Sequence, residues 1–438
     1  MSKHTPLFAL VVLAVLPLAA HAASPRRVVS LADALAQADM NVPSLRIARA
    51  QSAVSAAQTD EARAPLLPQL NASASYQRTT SNFVPRPSSV PNTINTTASS
   101  SGSTFNYFNF GATLSQTLFD APSFGRWRAA LATLGSVKAS EAAARLDAAY
   151  GTRVAFFNAR ATQALIRVAR ETYDNQKRHL DQVKGFVEVG TRPEIDLAQA
   201  RTNVANAKVA FIMAENNYAV AKAQLNVAMG VEADTEYDLG DGVADPIDIE
   251  DAGITEQVDV AQKSRPELVA FEEQLHAQAL VLRATRWSYA PTIGASTSLS
   301  DGGISLGALA WNWNFQVSAQ WNLFGGLMTY SQGKEAQAQL SVITAQRDSQ
   351  RLQVRLELER GRLAVRAAKE TVLAAADALE NATLREKLAE GRYAAGVGNA
   401  LELSDAVLAL ANAGAQRIQA DFNVATARSQ LLRALGRR

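Results

Sequence analysis

The feature that most constrains this chain is that it is written twice. Val42-Pro43-Ser44-Leu45 matches Arg265-Pro266-Glu267-Leu268 at an offset of 223 residues, and Pro68 to Ser73 matches Pro291 to Ser296 at the same offset. Leu118-Phe119-Asp120 matches Leu323-Phe324-Gly325 at 205. Gly190 with Gly396, Asp196-Leu197 with Glu402-Leu403, and Gln224 to Gly230 with Gln430 to Gly436 all match at 206. The matches keep their order, so two copies of one unit form one architecture rather than two independent domains. The first copy carries a longer insert, residues 80 to 104, whose Ser, Thr, Asn and Pro content predicts a surface loop. Residues 23–230 are expected to be the first copy and 254–438 the second. The acidic stretch 231–253 between them, with Asp238, Asp241, Asp245, Asp248 and Asp251, lacks EF-hand spacing and reads as a solvated linker.

Within each copy two hydrophobic periods alternate. Trp311, Trp313, Phe315, Val317, Ala319 and Trp321 occupy one face of a period-two run, with Asn312, Asn314, Gln316, Ser318 and Gln320 on the other. Phe108, Phe110, Ala112 and Leu114 alternate with Asn109, Gly111, Thr113 and Ser115, and Ile293 to Ser300 behaves the same way. Strands are expected at about 68–82, 105–119, 291–300 and 310–324. Their apolar faces read as free of charge and their length suits a tilted transmembrane strand. Four strands cannot close a barrel, and open edges cannot face lipid, so closure demands oligomerisation. Three copies would supply twelve strands. Trp311, Trp313 and Trp321 are candidates for an interfacial aromatic girdle.

Long helices follow the strands. No Pro interrupts 122–186 or 326–390, and about 65 residues at 1.5 Å rise span roughly 100 Å. Further helices are expected at 192–230 and 399–436. Leu197, Val204, Phe211, Tyr218 and Leu225 recur every seven residues, as do Ala200, Ala207, Ala214, Ala221 and Ala228. Ala406, Ala413, Ala420, Ala427 and Ala434 repeat the alanine column in the second copy, and Arg417 interrupts the large one. The seven-residue period predicts left-handed supercoiling, and the alanine column suits many-helix side-by-side packing.

Composition excludes much chemistry. There is no Cys, which removes thiol nucleophiles, zinc–thiolate sites, disulfides and lipidation through Cys. Lys3, the apolar run Leu7 to Ala20 and Ala20-His21-Ala22 read as a secretory signal over 1–22. His179 and His276 are then the remaining imidazoles, so neither metal binding nor His-based catalysis is expected. Forty-three Lys and Arg against 41 Asp and Glu argue against a nucleic-acid partner. Gly303-Ile304-Ser305-Leu306-Gly307 matches the nucleophile-elbow pattern, but it lies between two strands with no His after Ser305. The chain reads as no enzyme and no cofactor is expected. A soluble periplasmic coiled-coil adaptor is the other reading of the residues; it accounts for the helices but not for the strand faces.

The order of elements, the duplication and several short motifs resemble the TolC family of outer-membrane efflux proteins. The motifs are Arg265-Pro266-Glu267-Leu268, Pro291-Thr292-Ile293, Leu323-Phe324-Gly325-Gly326, and Arg392 to Gly396 with Glu402-Leu403 and Asp405-Ala406. The resemblance covers nearly all of the chain after residue 22. It implies a homotrimer in the outer membrane of a Gram-negative bacterium, with a twelve-strand β-barrel continued by a long periplasmic α-helical barrel. Its partners would be outer-membrane lipid, a periplasmic adaptor and an inner-membrane pump, in tripartite efflux or type I secretion. The turns Val189-Gly190-Thr191 and Gly396-Val397-Gly398 would dock the adaptor. Glu402 and Asp405 match the family's entrance carboxylates, while Tyr393 and Asp196 match its closing latch. The latch arginine position holds Gly398 here, and Arg192 occupies the corresponding place in the first copy. The expectation is a gate held less tightly, or held through Arg192.

Overall fold

The computed structural model describes residues 27–81, 103–232, 237–242 and 245–438. The signal at 1–22 and nearly all of the insert at 80–104 lie outside these. The described elements follow the duplication. In the first copy a short strand β1 (Arg27–Val29) leads into helices α1 (Leu31–Asn41) and α2 (Pro43–Arg63). Strands β2 (Gln69–Ser81) and β3 (Ser103–Phe119) and helices α3 (Ala121–Glu188) and α4 (Glu194–Met229) follow. The stretch between the copies holds β4 (Tyr237–Leu239), and the second copy has α5 (Ile254–Ser264), α6 (Pro266–Trp287), β5 (Thr292–Gly303), β6 (Ala310–Gln320), α7 (Met328–Ala394) and α8 (Ala400–Ala434).

Each copy has two helices ahead of its two long strands. Pro43 and Pro266 each occupy a helix's first turn, where a missing N–H costs nothing, and each forces the preceding residue out of helical geometry. The strands pair antiparallel in the order β2-β3-β5-β6, an open four-stranded sheet. Two expectations need correction here. The strand expected to reach 324 ends at Gln320, so Trp321 sits just beyond it and donates its indole N–H to the Tyr289 carbonyl at 2.9 Å. The strand expected to end at 300 continues to Gly303 and places Asp301 on the apolar face, across from Phe110 and Trp311. That face therefore carries one acid near its outer end. The elbow-like motif falls in the β5–β6 hairpin, with no helix following it.

The long helices stand side by side. α3 has 68 residues and α7 has 67, each about 100 Å long. α7 packs on α8, α8 on α3, and α3 on α4. All five alanines of the α8 column, Ala406 to Ala434, are buried. Three of the five in α4 are buried, Ala200, Ala207 and Ala221, because α4 stands at the edge of the protomer with a single long neighbour. Arg417 spans its break in the large column by pairing with Asp421 at 3.1 Å.

The acidic stretch between the copies is not uniformly solvated. Tyr237 is buried, its hydroxyl donates to Asn226 at 2.7 Å, and burial followed by the nearby Tyr218 pushes its pKa up to about 12. Glu250 is buried too. Burial alone would raise its pKa, but Arg428 at 2.9 Å, Lys369 at 2.7 Å and the Ile247 N–H hold the carboxyl below its ordinary value. Asp241 and Asp251 remain exposed, as a solvated linker would have them. The segment thus straps the middle of the helices, where two core clusters form around Phe156, Leu225 and Tyr237 and around Leu358, Leu431 and Leu435.

The same joint is built twice. Gly230 (φ 70°) caps α4 and Gly436 (φ 70°) follows α8, both left-handed. A Cβ on Gly230 would lie 2.6 Å from the Asn41 carbonyl carbon, and one on Gly436 would lie 2.8 Å from the Ser264 carbonyl oxygen. Each helix end thus abuts the joint between its copy's two leading helices, and glycine alone meets both the backbone sign and the clearance. Gly230→Ala and Gly436→Ala are each expected to lower stability by about 1–3 kcal/mol. Thermal unfolding of the single and double variants checks this, and the two losses should add because the joints lie in separate copies.

Candidate functional site at the helical tip

The end of the helices away from the sheet is built by two turns. Gly190 (φ 79°) and Gly396 (φ 77°) let the chain reverse after α3 and α7. Thr191 reinforces the first turn by donating its hydroxyl to the Phe186 carbonyl at 2.9 Å. Asn399 caps α8, accepting the Glu402 N–H at 2.7 Å. Val189 and Val397 stand out at the tips, exposed by 79% and 71%.

Behind the turns lies a small core of its own, made by Val183, Ala200, Ala389, Tyr393, Leu403, Ala406 and Val407. Tyr393 is its largest member and only 1% exposed. The His179 ring meets it nearly edge-on at 4.9 Å and the Phe186 ring at 6.1 Å. Arg192 lies over the same ring, its guanidinium carbon 5.0 Å from the centroid, and donates from Nη2 to the Gly398 carbonyl at 3.0 Å. One arginine from the α3–α4 turn therefore holds both the buried tyrosine and the α7–α8 turn. Asn203 of α4 adds a second tie, donating to the Ser404 hydroxyl of α8 at 3.0 Å. Burial raises the Tyr393 pKa, with Arg192 opposing and Asp196 adding to the rise. Burial likewise lowers the His179 pKa, against the Gln182, Asp196 and Glu390 contributions.

The five expected latch and entrance residues fall into two groups. Arg192 and Asp196 lie beside Tyr393, whereas Glu402 forms a half-exposed ion pair with Arg392 at 3.2 Å. Asp405 is exposed, one turn further along α8. Gly398 has no room for the latch arginine. A Cβ there would lie 2.9 Å from the Tyr393 backbone nitrogen and 3.1 Å from the Arg392 carbonyl carbon. His179, Phe186, Asn203, Ser404 and Arg392 were not anticipated as site residues. Phe186 and His179 are seven apart, which places them on one helix face, but only the fold shows that Tyr393 lies against that face. Among the described residues no group of acids and histidines is arranged to hold a metal ion.

Comparison with known proteins gives one consistent result over most of the chain. The family model described as outer membrane efflux protein matches residues 34–231 and 258–437, one block for each copy. The toluene efflux pump outer membrane protein TtgC of Pseudomonas putida is 26% identical over 409 residues, 91% of this chain and 81% of the relative. The antibiotic efflux pump outer membrane protein ArpC of Pseudomonas putida matches over the same span at the same identity. The fold resembles the Campylobacter jejuni CmeC outer membrane channel with a TM-score of 0.80 at 19% identity, covering 93% of this chain and 85% of that one. It also resembles VceC of Vibrio cholerae, at 0.78 and 16% identity, covering 93% and 96%.

The geometry of Arg192 has a direct consequence. Arg192→Ala removes the carbonyl bond and the ring contact together and is expected to loosen the tip by about 1–3 kcal/mol. Limited proteolysis should show faster cleavage at the turns 189–191 and 396–398, with the mid-helix region unchanged.

Proposed function

The chain belongs to the outer membrane efflux protein family and is an outer-membrane channel component of efflux machinery, and from that premise we propose that three copies form a passive exit duct gated at the helical tip. The observation that carries this is the pair of unlike, unsatisfied edges on one protomer. β2 and β6 each lack a neighbour on one side in the described sheet. Among the helices, Val209, Met213, Val220 and Val227 stand exposed at heptad-like spacing on α4, and Leu352, Leu356, Leu363, Leu384 and Leu388 do so on α7. Two different surfaces that complement each other make a heterologous contact, and such a contact repeated with a closing rotation forms a ring. Three protomers bring the strands to twelve, an even number suited to an outer-membrane barrel.

The sheet fits that role. From Trp311 to Trp321 the chain advances ten residues. At about 3.3 Å each and a tilt of about 40°, this spans roughly 25 Å, the height of an outer-membrane apolar band. Trp311, Trp313 and Trp321 would then mark its two edges, each exposed in the single chain. The exposed apolar turns around Gly190 and Gly396 would meet a periplasmic adaptor that couples the duct to an inner-membrane pump. The relatives' names carry toluene and antibiotics, which favours small molecules over secreted proteins as cargo here. The duct performs no chemistry on its passenger, since the family is one of channels.

In this reading the ties from Arg192 to Gly398 and from Asn203 to Ser404 hold the tip closed, and Glu402 and Asp405 give the entrance a negative ring. Arg392 offsets part of that charge through Glu402. The purified protein in planar bilayers tests both parts. Glu402→Gln with Asp405→Asn should lower the cation-over-anion permeability ratio by about twofold or more; an unchanged ratio refutes the ring. The chain has no Cys of its own, so Asn203→Cys with Ser404→Cys gives a unique tether. Its oxidation should hold conductance at a low level that reductant releases, and conductance indifferent to oxidation refutes the gate.

A further inference from the structure

His179 is the one titratable group packed into the tip core that the gate as described does not use. Its ring lies 4.9 Å from that of Tyr393 at an interplanar angle of 68°. Its Nδ1 is buried from solvent, and among the described residues neither that nitrogen nor the Tyr393 hydroxyl has a hydrogen-bond partner. A neutral imidazole tolerates this arrangement, because the bare nitrogen is then an acceptor left idle. A protonated one does not, because both nitrogens become donors on a cation and one of them points into an apolar core.

Resting on the gated-duct reading, we propose that His179 is the pH-sensitive wedge of the gate: its protonation expels Tyr393 from the tip core and frees the α3–α4 turn from the α7–α8 turn. The charges around it set the sign. From α7, Glu390 attracts the imidazolium, and from α4 Asp196 does the same. From the α3–α4 turn, Arg192 already lies over the Tyr393 ring, so a second cation would be drawn to one tyrosine from another direction. On α3 itself Arg178 precedes the histidine, and Gln182 contributes a neutral hydrogen bond. Burial outweighs the attraction, and the imidazole in the closed tip takes a proton less readily than one in water.

The linkage then favours opening in acid. A released His179 titrates near its ordinary value of about 6.5, whereas the enclosed one titrates lower. Closure is unopposed above that range, becomes costlier as pH falls through it, and reaches its full cost below the enclosed value. Glu386, one turn from Glu390, works the other way. Burial and then Glu390 raise its pKa, so its protonation favours the packed state, with Arg178 opposing. The opening window therefore lies below the ordinary imidazole range and above the range where carboxylates protonate.

Bilayer recordings of the purified protein at about pH 7.5 and about pH 5.5 test this. Open probability of the unmodified channel should rise about threefold or more in acid, and His179→Gln and His179→Phe should each abolish most of the rise while conducting normally at the higher pH. The oxidised Asn203→Cys/Ser404→Cys tether should also abolish it. A pH response that survives in both His179 variants, or an unmodified channel with no response, overturns the inference while leaving the gate intact. Tether oxidation without effect on conductance overturns the gate reading itself and the wedge with it.

Discussion

Close approach of very long helices along columns of alanine is the interaction on which the rest of the structure depends. A helix of nearly 70 residues cannot be stabilised by propensity or capping; it needs a continuous packed face. Ala406, Ala413, Ala420, Ala427 and Ala434 supply that face on α8, with side chains small enough for α7 and α3 to flank it. On α4 the larger column, half-buried from Leu197 to Tyr218 and fully buried at Leu225, fills the space beside that helix's own alanines. Every other feature is placed by this seam. The sheet sits at one end, residues 237–242 and 245–251 pack against the middle, and the two glycine turns close the other end.

The seam also leaves the protomer unfinished. In the middle of the row, α8 and α3 find neighbours on both sides, while α4 and α7 end it with exposed Val, Met and Leu side chains. The strand order mirrors this, with β2 and β6 outermost. Unpaired strand edges have no place in hydrocarbon, and the chain belongs to an outer-membrane family. The duplication explains why the two edges differ: α4 and β2 are the second long helix and the first strand of the first copy, whereas α7 and β6 are the first long helix and the second strand of the second copy.

Much of the fold was legible in the residues because period two and period seven are local signals. The four strands, the four long helices and the repeat all follow from them. Errors arose where a local pattern met a tertiary competitor. Trp321 continues the alternation of β6, yet its indole is taken by the Tyr289 carbonyl, and the strand stops one residue earlier. The acids of 231–253 read as a solvated stretch, yet Arg428 and Lys369 lie 178 and 118 residues away from their partners Glu250 and Asp251 and draw that segment onto the helices. Asp301 falls on the apolar face because β5 runs three residues further than its Ser-rich pattern marks.

The candidate site divides in the same way. Sequence alone determined the turn glycines, the acids Glu402 and Asp405, and the absence of an arginine at Gly398, since each is a matter of residue type at a repeat-related position. Tertiary structure alone decided what Arg192 touches. Arg192 reaches the Gly398 carbonyl across 206 positions of chain, and the crowding around Gly398 excludes any side chain there. It alone also brought His179 against Tyr393, residues on different copies of the repeat. The physical reason is range. Periodicity and turn chemistry act over a few residues and are written in the order of the chain, whereas desolvation, ring contacts and charge pairing depend on which distant side chains the alanine seam brings within a few ångströms.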